Sequence, residues 1–347
     1  MKKSLTAVLL SLTAIFLSYS PGRACEECGG KGAGASYSVE QMKSIAAQKG
    51  FGMTGDVRTD DFDPTTYLTS RNFNHLPPEE RAKFYKETKM KNGSLVREYW
   101  FYAVNKEIEI APGIFFPAWT YNGQVPGPTL RATEGDVIRI HFLNQGDRPH
   151  TLHFHGFHPE AMDGSMPHQF VQPGDSFLYE FKADPVGLHL YHCHSTPLMQ
   201  HLAKGLYGVY LVDPKIPRPP AHELIMMMNG FDTNFDREND VYAVNTVAFH
   251  YVNHPIQVKL GEPIRIYLVN ITEFDPVNSF HVHAHFFYEY RTGTGAQPDG
   301  FTDTIVLGQA ERSMLEMDFR YTGMYMFHAH VTEFAEQGWM GLFEVLP

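Results

Sequence analysis

The chain has 347 residues, which exceeds one typical domain and suggests two. Hydrophobic residues make up 43% of it and charged residues 19%, which excludes a disordered chain or a coiled coil. The formal net charge of −11 argues against a nucleic-acid partner, because no basic stripe is available to neutralise phosphates. Nineteen histidines against three cysteines is the unusual feature of this composition.

The first residues predict a secretion signal over residues 1–24. Lys2 and Lys3 form a basic start, and Thr6–Leu17 is an apolar run too short to span a bilayer comfortably. Ala24 then offers a small residue for cleavage before Cys25, although an uncleaved anchor or a lipid on Cys25 stays open. No other stretch predicts a membrane span. We therefore expect a periplasmic or secreted protein.

Residues 25–95 predict an N-terminal extension, either a solvated segment or an arm for an oligomer. The segment is Gly-rich at first and then polar, with a partly helical stretch expected over Glu79–Lys91. Cys25 and Cys28 form a CxxC pair that could be a local disulfide, a metal-loading site or a pair without a role.

From Glu98 onward, short runs of β-branched and aromatic residues alternate with turn residues, which is typical of a β-sandwich. The proline-rich stretch Pro214–Pro220 divides two such series, so we expect one domain over residues 96–215 and another over residues 216–347. The predicted strands of the first domain are Glu98–Val104, Thr129–Arg131, Val137–Phe142, Phe177–Phe181, Gly187–His192 and Gly208–Val212. Those of the second are Leu224–Met228, Ile256–Leu260, Ile264–Asn270, Ser279–Tyr288, Ser313–Phe319, Gly323–His328 and Gly341–Leu346.

Four His-X-His pairs fall at matching points of the two series. The early pairs lie 128 residues apart and the late pairs 136 residues apart, which indicates an internal duplication. The early pairs are His153/His155 and His281/His283, and the late pairs are His192/His194 and His328/His330. A single such pair is more often a satisfied polar pair than a ligand set, but four at matching points favour a metal site.

Strand geometry separates the cysteine of the first domain from its neighbours. Residues i and i+2 of a strand share one face, so His192 and His194 point one way and Cys193 the other. His150 falls on the opposite face from His153 if that strand is regular, and it can meet Cys193 together with His201. A His₂Cys set with a weak axial ligand is the blue-copper arrangement. Zinc is disfavoured, because side chains that point to opposite faces of one strand cannot all bind the same tetrahedral metal ion.

The second domain keeps the paired histidines and lacks the thiol site. Ala329 stands where the first domain has Cys193, and Asn278 stands where it has His150. The eight paired histidines would then bind three coppers between two domains, with the blue site in the first domain only.

These segments resemble those of multicopper oxidases. The resemblance covers residues from about 98 to 347 and lies closest to two-domain members with type 1 copper in the first domain, which are related to copper nitrite reductases. It implies an all-β fold of two cupredoxin-like Greek-key β-sandwich domains. The segments that carry it are Tyr121–Pro128, His150–Gly156, Tyr191–His201, His281–His285 and Phe327–His330.

The resemblance also implies a set of copper ligands, with about four coppers per chain. His150, Cys193 and His201 would bind type 1 copper, and Leu206 would occupy the axial position without coordinating it. The type 2 copper and the binuclear type 3 pair would be held by His153, His155, His192, His194, His281, His283, His328 and His330.

The activity implied is the one-electron oxidation of a reductant at type 1 copper, coupled to the four-electron reduction of dioxygen to water at a trinuclear cluster. Asp163 resembles the aspartate near type 2 copper, and Glu333 and Glu336 are further candidates for proton supply, although a surface role is equally open for either glutamate. The divided cluster implies face-to-face domains, which family members achieve in a homotrimer.

Two other functions stay open. A copper nitrite reductase shares the type 1 set, but it has an aspartate in place of His153 and a non-ligand in place of His194. A non-catalytic copper-binding or electron-transfer protein would leave eight histidines unexplained. The reductant also stays open between phenols, cuprous or manganous ions and a redox protein. Met226–Met228 is interpreted as core, and His158, His168, His189 and His285 are interpreted either as structural residues or as neighbours of the metal ligands.

Overall fold

The computed structural model describes residues 62–73 and 76–347, and strands make up most of its regular structure. The predicted secretion signal, Cys25 and Cys28 lie outside the described residues. In the described part of the chain no helix has the length and apolar character needed to cross a membrane. The prediction of an all-β fold is confirmed.

The first sandwich consists of two mixed sheets. One sheet has the order β1-β2-β5-β7, with β3 also paired to β2, and the other has the order β4-β9-β8-β6. The strands are β1 (Tyr85–Lys89), β2 (Leu95–Ala111), β3 (Ile114–Tyr121), β4 (Gly127–Thr133), β5 (Val137–Asn144), β6 (His153–Phe154), β7 (Ser176–Lys182), β8 (Gly187–His192) and β9 (Tyr207–Asp213).

The second sandwich repeats this plan. Its sheets have the orders β11-β10-β13-β18-β15-β16 and β12-β20-β19-β14-β17. The strands are β10 (His222–Phe231), β11 (Val241–Val244), β12 (Ile256–Lys259), β13 (Ile264–Asn270), β14 (Val277–Val282), β15 (Phe287–Arg291), β16 (Gly300–Thr302), β17 (Thr304–Gly308), β18 (Arg312–Met317), β19 (Gly323–His328) and β20 (Met340–Leu346).

The helices are short and lie between the strands. They are α1 (Pro64–Leu68), α2 (Pro78–Arg81), α3 (Leu198–Ala203), α4 (His250–Asn253) and α5 (Thr332–Glu336), with 3₁₀ turns at Glu160–Met162 and Pro167–Gln169.

Strand pairing supports the duplication inferred from the histidine pairs. The parallel pairs β2–β5 and β4–β9 of the first domain correspond to β10–β13 and β12–β20 of the second. The antiparallel pair β6–β8 likewise corresponds to β14–β19. Each domain therefore places its early and late histidine pairs on neighbouring strands.

A third hydrophobic core joins the two domains. Leu190 on β8 and Val209 on β9 are fully buried in the same cluster as Met227 on β10 and Val269 on β13. One sheet of each domain thus packs against a sheet of the other domain. Each Å² of apolar surface buried in this way stabilises the fold by about 25 cal/mol. Met226, Met227 and Met228 are all fully buried, which confirms their interpretation as core residues.

An ion-pair network crosses the same junction around Glu223 on β10. Arg131 on β4 and Arg71 donate to its Oε2 over 2.7 and 2.5 Å, and Arg265 on β13 donates to its Oε1 over 3.2 Å. The side chain of Glu223 is only 8% exposed. A charge this far from water is stable because three guanidinium groups surround it.

The prediction of a solvated extension is wrong for residues 62–73, whereas residues 76–91 are exposed or half-buried except for Phe84. Tyr67 joins the interdomain core, Leu68 joins the core of the second domain, and Phe73 joins the core of the first. The partly helical stretch expected over Glu79–Lys91 is helical only at its start, because α2 ends at Arg81 and β1 pairs with β2. The polar composition of β1 suits an edge strand, where charged side chains block further pairing.

The single strand predicted over Ser279–Tyr288 is interrupted. Strand β14 ends at Val282 and β15 begins at Phe287 in the other sheet, with Ala284 between them in the left-handed region at φ 59°. The apolar pattern continues through a corner at which the chain changes sheets, so periodicity alone did not reveal the break.

Candidate metal centres

Cys193 lies at the end of β8 beside two imidazoles, all three side chains being buried. Its Sγ is 3.1 Å from Nδ1 of His201 and 3.9 Å from Nδ1 of His150, and the two Nδ1 atoms are 3.2 Å apart. His150 follows β5, and His201 is on α3. The structure thus brings together the three residues that the sequence assigned to type 1 copper.

Burial sets the protonation of this first group. It lowers the pKa of His150 to about 3 and that of His201 to about 4, so both imidazoles are neutral, as metal ligands must be. Burial raises the pKa of the Cys193 thiol. The Thr151 N–H points at Sγ over 3.4 Å and favours the thiolate once a cation compensates its charge.

Several neighbours shape the walls of this group. Trp119 meets the His150 and His201 rings edge-on, with centroids 5.4 and 4.8 Å away. A Cβ at Gly146 would lie 2.8 Å from His150 Nε2, so only glycine leaves room for this ring. Leu206 is fully buried, and its carbonyl accepts a hydrogen bond from the Cys193 N–H over 2.9 Å.

A second group lies on the other side of the same peptide. His153 on β6 is opposite His192 on β8, and His155 Nε2 is 3.3 Å from His192 Nε2. The Nδ1 of His153 donates to the Asp163 carbonyl over 2.9 Å, and that of His192 donates to the Cys193 carbonyl over 2.9 Å. A carbonyl only accepts, so each Nδ1 carries the proton and each Nε2 keeps a lone pair for a metal.

His194 completes this set from the loop after β8. Its ring centroid lies 5.1 Å from that of His153 and 5.9 Å from that of His192. Its backbone N–H donates to the Thr151 hydroxyl over 3.0 Å. Because β6 contains only His153 and Phe154, the histidine pairs extend past the strand ends, whereas the parity argument assumed regular strands.

The second domain repeats the group with more exposure. His281 is opposite His328, and His283 Nε2 is 3.0 Å from His328 Nε2. The Nδ1 of His281 donates to the Asp303 carbonyl over 2.9 Å, and the ring of His330 lies 5.2 Å from that of His281. His283 and His330 are exposed, whereas their first-domain counterparts are half-buried.

The position equivalent to the thiol group is closed in the second domain. Asn278 and Ala329 are fully buried, and the Asn278 amide donates to Thr272 Oγ1 over 3.1 Å. The Ala329 N–H bonds the carbonyl of Trp339, as the Cys193 N–H bonds that of Leu206. The buried Trp339 ring packs near Phe280 in that domain's core.

The candidate carboxylates differ in their placement. Asp163 Oδ1 is 3.2 Å from His153 Nδ1 and 3.7 Å from His158 Nε2, and these three residues form a further cluster of ligand atoms. Glu333 and Glu336 are exposed at the two ends of the α5 segment, and within the described residues neither carboxylate contacts a ligand histidine. His158, interpreted from the sequence either as structural or as a neighbour of the ligands, thus lies beside the candidate site.

Two hydroxyl groups near the ligands were missed from the sequence. Thr151 Oγ1 accepts the N–H of His194, and Ser279 Oγ accepts the N–H of His330 over 2.7 Å. The two hydroxyls are 128 residues apart, like the early histidine pairs, so the repeat offset was the signal that could have found them.

Two family models described as multicopper oxidase match the chain, one over residues 104–216 and the other over residues 217–347. The crystal structure of a multicopper oxidase matches 82% of this chain and 97% of its own, with 49% sequence identity and a TM-score of 0.77. The chain belongs to the multicopper oxidase family. It is therefore a member of a copper-binding family of oxidoreductases.

This multicopper oxidase is also similar to copper nitrite reductases. The enzyme from Nitrosomonas europaea is 26% identical, with a TM-score of 0.65, over 72% of this chain and 94% of its own. A copper-containing nitrite reductase from Neisseria gonorrhoeae is 28% identical over 65% of this chain and 62% of its own. The chain spans less than two thirds of the length of the curated nitrite reductases that it matches. Both predicted resemblances are confirmed.

The donor atoms fit copper, the metal of this family. Thiol and imidazole donors suit copper, and the buried His150, Cys193 and His201 converge as a three-ligand set would. Among the described residues, each group of clustered ligand atoms draws on one domain only. The multicopper oxidase chain thus carries one thiol group and two separate histidine groups.

Proposed function

We propose that this multicopper oxidase oxidises a reductant one electron at a time and reduces dioxygen to water. The observation that carries the proposal is the double use of one short peptide. Cys193 lies against His150 and His201, while its neighbour His192 lies against His153 and His155. The candidate type 1 site and the first-domain histidine group would therefore be joined through the peptide bond between His192 and Cys193.

The residues assigned to each site have distinct tasks. His150, Cys193 and His201 would hold type 1 copper, and the paired histidines would hold the type 2 and type 3 coppers. When bound, copper supplies the reversible one-electron chemistry and the affinity for dioxygen that these side chains lack. The carbonyls of Asp163 and Asp303 hold His153 and His281 in the tautomer that leaves Nε2 free.

Asp163 is the best placed carboxylate to deliver protons. Its Oδ1 is 3.2 Å from His153 Nδ1, and the side chain is 26% exposed, so it joins solvent to the edge of the first-domain group. The Ser165 hydroxyl donates to Oδ2 and holds the carboxylate in place. Glu333 and Glu336 stay candidates for the second-domain side.

The histidine group of one chain would be completed by a second copy, in a homotrimer. His283 and His330 are exposed, and three residues after His283 an aromatic patch begins, in which the Phe301 ring packs at a tilt against the rings of Phe286 and Tyr288. Each of these rings is about half exposed. A contiguous aromatic patch beside an incomplete metal site is suited to a heterologous interface between copies.

Copper content and electron acceptor test the proposal together. We expect about four coppers per chain, as in the type 1, 2 and 3 set, and oxygen uptake in an electrode screen with phenols, cuprous ion and manganous ion. Cys193→Ser should abolish the blue absorption and the oxygen uptake, whereas a variant that keeps both would reject the proposal.

Nitrite reduction is the second candidate, because the similarity to nitrite reductases extends over most of the two domains. About two coppers per chain and turnover of nitrite in the absence of oxygen would support it. His153 and His194 argue for the oxidase, since both lie within the first-domain histidine group.

We also propose that the chain is exported to the periplasm or secreted. The basic and apolar start of residues 1–24 supports this. Cell fractionation and N-terminal sequencing of the mature protein test it.

A further inference from the structure

A cavity of about 300 Å³ opens beside α3, where the two domains meet. The first domain contributes Phe116, Met199 and Lys204 to its wall, and the second contributes Phe235, Phe274 and Arg237. Most of this lining is apolar. Its size and shape suit one aromatic ring, and a concave pocket of this kind does not suit the surface of a protein partner.

The cavity lies directly behind the thiol group. Met199, Gln200, Ala203 and Lys204 line it from one face of α3 and the residue that follows, while His201 on the same helix is buried against Cys193. A molecule bound here is separated from the thiol group by the α3 backbone.

The loop with which the second domain lines the cavity has a backbone conformation of high conformational energy. Phe235 and Arg237 have φ of 64° and 76°, in the left-handed region that non-glycine residues rarely adopt. The buried carboxylate of Asp232 compensates by accepting the N–H groups of Phe235, Asp236 and Arg237 over 2.6, 3.2 and 2.8 Å. This loop therefore keeps the Phe235 ring in the cavity wall.

Lys204 gives the cavity its charge. Its Nζ lies 4.2 Å from the Phe235 ring centroid and 4.9 Å from that of Phe116. Among the described residues it donates one hydrogen bond, to the Pro117 carbonyl over 3.0 Å, so two of its three N–H donors are left for a ligand.

One carboxylate, that of Asp232, also lines the cavity and attracts Lys204. Its two oxygens accept backbone N–H groups of its own loop, and the two positive side chains Lys204 and Arg237 against this one negative side chain leave the wall with a net formal charge of about +1. Cuprous and manganous ions are therefore disfavoured as occupants, whereas an anion is favoured.

We propose that this cavity is the reductant site and that it selects single-ring phenols bearing a carboxylate, which pairs with Lys204 while the ring packs on Phe116 and Phe235. The inference rests on the proposed oxidase function. Each bound phenol loses one electron and its hydroxyl proton and leaves as a phenoxyl radical. Four such oxidations supply the four electrons, and release the same number of protons, that turn one dioxygen into two waters.

The test separates binding from turnover. Isothermal titration calorimetry of the copper-loaded protein with 4-methoxybenzoate, which has no phenolic proton to lose, measures binding alone. Oxygen uptake with syringate and with 2,6-dimethoxyphenol, which differ only in the carboxylate, measures preference. The variants are Lys204→Met, the conservative Lys204→Arg and, as a matched control, Lys259→Met at an exposed position on β12.

We expect Lys204→Met to raise the Kd for 4-methoxybenzoate about tenfold and to lower the preference for syringate by a similar factor, because a charge-assisted hydrogen bond is lost. Lys204→Arg should restore most of both values, and Lys259→Met should match the parent. The proposal is overturned if 4-methoxybenzoate does not bind, or if Lys204→Met behaves like Lys259→Met. Lys204-dependent binding without oxygen uptake from any reductant would instead reject the oxidase and keep the cavity as a site for aromatic carboxylates.

Discussion

At the scale of single residues, two hydroxyls and two carbonyls orient the histidines of the candidate metal groups. Thr151 and Ser279 fix the loops that carry His194 and His330. The carbonyls of Asp163 and Asp303 decide which ring nitrogen is free. The ligands are therefore oriented before any metal arrives, which lowers the entropic cost of binding it.

Removing the Thr151 hydroxyl should lower the free energy of unfolding. Thr151 is fully buried, so Thr151→Val leaves the His194 N–H without its partner at nearly constant volume. We expect the free energy of unfolding to fall by about 2 kcal/mol. Urea unfolding of the copper-free protein at fixed concentration measures it, with Thr151→Ser as the control. Equal losses in the two variants would contradict the role of the hydroxyl.

At the scale of elements, Glu223 joins β10 to β4, to β13 and to the segment that follows α1. Burial alone would raise the pKa of Glu223, but hydrogen bonds and charges from Arg131, with the charge of Arg71, lower it to about 2. A carboxyl whose folded pKa lies below its unfolded value stabilises the fold above the unfolded pKa. That contribution is lost as the pH falls towards the folded pKa.

Glu223→Gln tests this linkage. We expect it to lower the free energy of unfolding by about 3 kcal/mol at pH 7, because three guanidinium groups lose a buried partner. The gap to the parent should narrow as the pH falls from 4.5, the ordinary pKa, towards 2. Unfolding curves across this range measure the gap, with the exposed Glu107→Gln as the control. If the difference in free energy of unfolding between the parent and Glu223→Gln did not change with pH, the charge of Glu223 would not be the cause of the stabilisation.

The strands and helices differ in how far local sequence predicts them. Strands β8, β13 and β19 were predicted with their observed bounds, because each is an apolar run between turn residues. The edge strand β1 and the burial of α1 were not predicted, because both depend on distant partners on β2 and in the second domain. Likewise the candidate ligand residues could be selected from their spacing, whereas the Lys204 cavity depends on loops far apart in the chain.

At the scale of the whole molecule, the two histidine groups differ in exposure. The first-domain group is mostly half-buried, whereas His283 and His330 of the second-domain group are exposed, and the aromatic patch begins at Phe286, three residues after His283. In the homotrimer that we propose, each chain would present one half of the cluster to each neighbour, and copies arranged head to tail would close into a ring.

Phe301→Glu should prevent this assembly, because it places a charge in the centre of the patch. We expect the parent to sediment as a trimer and the variant as a single chain that keeps its blue absorption but loses oxygen uptake. Ile216→Glu, at a position 86% exposed in the linker, is the matched control. A Phe301→Glu protein that remains trimeric would place the interface elsewhere.

The closed position around Trp339 has a consequence for redesign of the second domain. Asn278 and Ala329 are fully buried, and Ala329 and Trp339 belong to the same hydrophobic core. Introducing histidine at 278 and cysteine at 329 would insert larger side chains into a packed interior, at the cost of overpacking. A second electron-entry point would therefore require smaller core residues around these positions as well as the two new ligands.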